Sequence, residues 1–176
     1  LYLNAVKVPP MKRYQIREVA LDIRSKFGIF GGRFPIIDFI EFVLPKVMTN
    51  FEFSVEDGES LGDNHGLTYP DDRIIILRED VYHGAIAGNG RDRMTAAHEL
   101  GHLLLHKNIP LAKSDNKIQA FESSEWQANC FAGELLIPFE QLNVDGDLQD
   151  IANFYGVSLE AARYQVAIKR KNIVRS

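Results

Sequence analysis

At 176 residues with 45% apolar side chains, the chain is long enough for one domain with a buried core. Its 24 acids against 20 bases leave a net charge of −4, which excludes a surface built throughout to grip nucleic acid. The single cysteine, Cys130, excludes an intrachain disulfide and makes the reducing cytoplasm the expected location. Runs such as Ile74-Ile75-Ile76-Leu77 are far too short to cross a bilayer, so no membrane association is expected. The opening LYLNAVKVPP lacks the layout of a secretory signal.

Tyr14, Ile16, Val19, Ala20, Ile23 and Phe27 recur at spacings near three and four, which predicts an amphipathic helix over 12–27. A second helix is expected to start at Pro35 and end before Pro45. FEFSV, HGLTYP and RIIIL then predict three short strands, expected to pair antiparallel, with EDGESLGDNHG as loops between them. Helices resume after Asp80, break at NGR (89–91), and run from about Arg91 to His106, with Pro110 ending the exit and KSDNK (113–117) a solvated loop. Another helix spans roughly Glu122 to Leu136, placing Cys130 as a small buried residue rather than a nucleophile. Two helices around Gly156 close the chain. The order is that of an α+β fold.

TAAHELGHLLLH (95–106) carries the chemistry. His98 and His102 are four apart and project from one face of a helix, where two imidazoles can bind one cation. Glu99 points to the side, placed to act on a water rather than to ligate. With five His and twelve Glu, chance gives His-Glu-x-x-His roughly one time in a hundred. Two histidines and a carboxylate among Ala96, Ala97, Leu100 and Leu103 also need partners that a divalent cation would supply together. Gly101 costs about 1 kcal/mol against Ala within a helix and signals close approach of another element.

A third ligand is needed. SSEWQANCFAGELLIP offers Glu125, 23 residues after His102, with Glu122 as the rival one turn earlier. Asn129 either orients a ligand histidine or sits on a solvated face. His106 stands some 6 Å along the axis from His102, too far for a fourth ligand, and is expected to be a cation at the helix C-terminus. Two His and one carboxylate suit Zn²⁺ and would also accept Mn²⁺, Fe²⁺ or Co²⁺. Tyr69, His65 and His83 are the candidates for stabilising a negative intermediate, and HGLTYP for an edge strand that pairs with a peptide.

RMTAAHELGHLLLH followed by EWQANCFAGELLIP resembles the ImmA/IrrE family of zinc-dependent peptidases across roughly residues 89–138. The resemblance implies a zincin-like metallopeptidase domain with a small antiparallel sheet, covering 1–142, and leaves 143–176 as a helix-turn-helix-like segment packed on it. It implies His98, His102 and Glu125 as metal ligands, Glu99 as general base, and Zn²⁺ as cofactor. Gln127 departs from the pattern, since the family often carries a second acid there; Ile137 replaces a usual Met. The resemblance also implies a helix-turn-helix transcriptional repressor as protein substrate, in a mobile-element, prophage or stress-response circuit.

A rival reading is a DNA- or protein-binding regulator, or a toxin–antitoxin component, with a structural metal site. The C-terminal segment holds Arg163, Lys169, Arg170, Lys171 and Arg175 against Asp150 and Glu160. Only Arg163 and Gln165 lie where a recognition helix would read bases, so packing on the body is favoured over DNA binding. An intact Glu99 separates the two readings, because a structural site has no use for a base.

Overall fold

The computed structural model describes residues 6–109 and 118–174. Pro110, the KSDNK loop, Arg175 and the first half of LYLNAVKVPP lie outside the described residues.

Helix α1 (Arg13–Lys26) buries Ile16 and Ala20. The second helical segment runs past Pro45 rather than stopping before it: α2 (Ile36–Asp38) passes through a π turn, Phe39–Val43, into α3 (Leu44–Val47). Proline removes a donor and its ring crowds the preceding turn; a wider π turn just before it relieves both.

Three strands follow: β1 (Glu52–Glu56), β2 (Gly66–Tyr69) and β3 (Ile74–Arg78), with the short helix α4 (Gly58–Leu61) between the first two. The sheet order is β1-β3-β2, with β2 antiparallel and β1 parallel to β3. The expected all-antiparallel sheet is thus corrected to a mixed one. β1 and β2 form a wide hairpin, and the tight return after Tyr69 lays β3 into the gap between them, so β3 must run with β1. Arg78 ties the crossing loop down by donating to Gly62 O at 3.1 Å. Alternation on β3 buries Ile75 and Leu77, and β2 is left as an edge beside the metal-type helix.

Helix α5 (Glu79–Ile86) leads to α6 (Gly90–Leu105), whose Asn89 cap accepts from Arg91 N and Asp92 N. Helix α7 (Ser124–Leu136) follows a 3-10 turn, Ala120–Glu122. A β-carbon on Gly101 would lie 3.1 Å from both Cα and O of Ala128, so glycine is what lets α6 and α7 pack backbone to backbone. Helices α8 (Leu148–Tyr155) and α9 (Leu159–Ile173) add Ile151, Tyr155, Ala162 and Val166 to the same hydrophobic core as Leu100 and Phe131. Among the described residues, no helix is long and apolar enough to cross a membrane.

Candidate metal centre

The close α6–α7 pairing brings the first turn of α7 against the middle of α6. His98 Nε2 and His102 Nε2 are 3.0 Å apart, and each lies 3.3 Å from one oxygen of Glu125. All three ligand atoms sit within 4.8 Å of one another, and the group could hold a metal ion. Tetrahedral bonds of about 2.0–2.1 Å put ligand atoms about 3.3 Å apart, so the donor set fits a zinc-sized cation without rearrangement. Glu122 does not join it; its carboxylate pairs with Lys7 at 3.4 Å.

Electrostatics match this arrangement. Burial raises the cost of charge on Glu125, yet hydrogen bonds from His102 and His98 outweigh it and hold the carboxyl well below the usual range. Burial likewise opposes charge on His98, but Glu125 and the nearby Glu99 raise its pKa overall. His98 Nδ1 lies 3.1 Å from Asn129 Oδ1, a hydrogen bond in which the ring donates, and this turns Nε2 toward Glu125. Asn129 is exposed on α7, and its side chain holds the His98 ring.

His106 is not the expected terminal cation. It is buried, and burial together with neighbouring His102 pushes its pKa down to about 4, so the ring is neutral. Its Nδ1 faces His102 Nδ1 at 2.9 Å and its Nε2 faces Gln127 Oε1 at 3.2 Å. The helix-terminus rule misplaced it because α7 and the segment before α1 cover that end of α6. Cys130 is buried as expected, and burial raises its thiol to about 12.

Glu99 is buried beside the cluster, and two residues of β2 fix it. Thr68 Oγ1 donates to Glu99 Oε2 at 2.6 Å, while a β-carbon on Gly66 would fall 2.8 Å from Glu99 Cγ. Neither contact was legible locally; the signal available was that Gly66 and Thr68 share one face of a strand. Of the three expected stabilising donors, His65 lines a cleft with His98 and Glu99. Tyr69 lines a second cleft of about 460 Å³ with His102 and Glu125. His83 lines neither; it is 66% exposed on α5 near Glu79. Arg78, held by both oxygens of Asp80, donates to His65 Nδ1 at 2.8 Å, which leaves the His65 proton on Nε2.

A sequence model of the peptidase family described as the IrrE N-terminal-like domain matches residues 58–167, 110 of the chain's 176. The chain belongs to this family. The IrrE-like match takes in β2, α6 and α7 and so every side chain of the cluster, in agreement with the resemblance read from the sequence. Among solved structures, a Mycobacterium tuberculosis transcriptional regulator has a similar fold, with a TM-score of 0.55 at 14% identity. That match covers 85% of this chain and 45% of the regulator, so the IrrE-like chain spans less than half of that protein's length. No curated protein matches the sequence significantly.

Proposed function

We propose that this protein is a zinc-dependent endopeptidase, with His98, His102 and Glu125 as the metal ligands and Glu99 as the general base. The observation that carries the reading is the spacing of the three ligand atoms, 3.0 to 3.3 Å, with a buried carboxylate one residue from the first ligand. A divalent cation held there acts as a Lewis acid on a water molecule and on a peptide carbonyl. Thr68 engages Oε2 of Glu99, so Oε1 is the atom that takes a proton from the attacking water and returns it to the leaving amine. His65, with its proton fixed on Nε2 by Arg78, supplies a neutral donor for negative charge developing on the carbonyl oxygen. An extended peptide adds to the free edge of β2, which places its main chain alongside Glu99.

The substrate we infer is a helix-turn-helix transcriptional repressor, cleaved in the cytoplasm. The family resemblance supports it, as does the description of the structural neighbour as a transcriptional regulator. The reading of the last helices as a DNA-binding element is disfavoured by their contacts. Gln165 is buried, Lys169 donates to Phe139 O and Glu140 O, and Arg170 donates to Val144 O. One of the two base-reading candidates and two of the basic residues are spent on the protein.

The test is incubation of the zinc-loaded protein with purified candidate repressors beside its Glu99→Gln variant. Cleavage by the first and none by the second supports a peptidase with that base. Equal cleavage by both removes Glu99 from the role.

A further inference from the structure

Gln127 is 1% exposed in the first turns of α7, and its side chain touches neither the ligand atoms nor a cleft wall. Its Nε2 donates to two backbone carbonyls, Pro9 O and Phe121 O, each at 2.8 Å. Carbonyls only accept, so the amide nitrogen must face them and Oε1 must face His106. An amide oxygen also only accepts, so His106 Nε2, 3.2 Å away, carries a proton and donates to it. His106 Nδ1 lies 2.9 Å from His102 Nδ1, a gap that holds one proton; an imidazole that ligates through Nε2 carries its own proton on Nδ1, so His102 is the donor and His106 the acceptor. His102 Nε2 is the nitrogen turned to His98 and Glu125.

We infer that Gln127 and His106 are positioning residues that set the tautomer of His102, through a one-way chain of hydrogen bonds anchored on Pro9 O and Phe121 O. The carbonyls fix the chain's direction at one end and the ligand nitrogen of His102 fixes it at the other. His98 reaches the same state by a single contact with Asn129, whereas His102 needs two intermediaries. The anchor lies outside the metal helix. Val8 N donates to Glu122 O and Met11 N to Phe121 O, so docking of the segment before α1 holds both carbonyls in place. Tautomer control of one ligand thus depends on a segment more than ninety residues away in sequence. The inference rests on His102 being a metal ligand, as in the function proposed above.

The experiment uses the full chain labelled with ¹⁵N-histidine. In the metal-free protein, long-range ¹H–¹⁵N spectra are expected to show His102 protonated on Nδ1 and His106 on Nε2. Zinc affinity, measured by competition with a chromophoric chelator, is expected to fall about 10–100-fold in His106→Phe and in Gln127→Met. His106→Asn, whose Oδ1 restores an acceptor near the lost Nδ1, is expected to recover most of that loss. A wild-type proton on His106 Nδ1 overturns the inference, and so does folded His106→Phe binding zinc as tightly as wild type. Should Gln127→Met not fold, the wild-type spectrum and the His106 pair decide. Should wild type bind no zinc at all, the ligand reading fails, while the tautomer spectrum still decides the hydrogen-bond chain.

Discussion

Thr68 and Glu99, 31 residues apart in sequence, meet at 2.6 Å, hydroxyl to carboxylate. The edge strand and the Glu99 carboxylate are therefore one mechanical unit. A hydrogen bond to a charged group is worth about 1.5–3 kcal/mol, or at least tenfold in rate where it holds a base in line. Thr68→Val is expected to lower kcat about tenfold with zinc affinity unchanged, and Thr68→Ser to restore it. Steady-state kinetics beside a chelator competition check this; a change in zinc affinity alone would contradict it.

Gly66 lies two residues earlier on the same face of β2. Its missing side chain is space that Glu99 Cγ occupies, and Leu77 Cδ2 closes the other side at 3.1 Å. Gly66→Ala is expected to displace the carboxylate and cost about 100-fold in kcat, as misplacement by about 1 Å does. Metal content is expected to stay at the wild-type level. Zinc analysis and kinetics on the same preparation separate the two effects.

The clustering of His98, His102 and Glu125 was legible because its information is local. A four-residue repeat sets His98 and His102 on one face, and the next helix carries Glu125 back to them. The α+β layout was legible for the same reason, from periodicity. What escaped was long-range. The parallel β1–β3 pair follows from β3 inserting into a hairpin, and strand period carries no such information. The helix through Pro45 depends on a π turn with no sequence mark. His106 was misjudged because its burial comes from Gln127 and the segment before α1, neither of them near it in the chain.

His65 and Tyr69 line different clefts beside the cluster, and the donor nitrogen of His65 is fixed by Arg78. His65→Ala is expected to lower kcat about 10²-fold, the scale of losing one donor to a developing oxyanion, with KM little changed. Tyr69, 47% exposed, is expected to tolerate Phe with kcat close to wild type. The reverse ranking would move the donor role to Tyr69.

Gly101→Ala sets two effects against each other. Alanine is favoured over glycine in a helix by about 1 kcal/mol, while overpacking costs about 1–3 kcal/mol. The obstructing atoms belong to the Ala128 backbone inside a helix, which yields less than a side chain, so overpacking wins. A net loss of about 1 kcal/mol is expected, seen as a melting temperature lower by roughly 2–4 °C. A rise on thermal denaturation would show that α6 and α7 separate without cost.

X-ray absorption at the zinc edge of the loaded protein reads the coordination shell itself. Two imidazole nitrogens with carboxylate and water oxygens, all at about 2.0–2.2 Å, are expected. One imidazole is expected to be lost in His102→Ala, and the oxygen count to fall in Glu125→Ala. A shell with a sulfur ligand near 2.3 Å, or one that both substitutions leave unaltered, would place the metal elsewhere and contradict the centre described above.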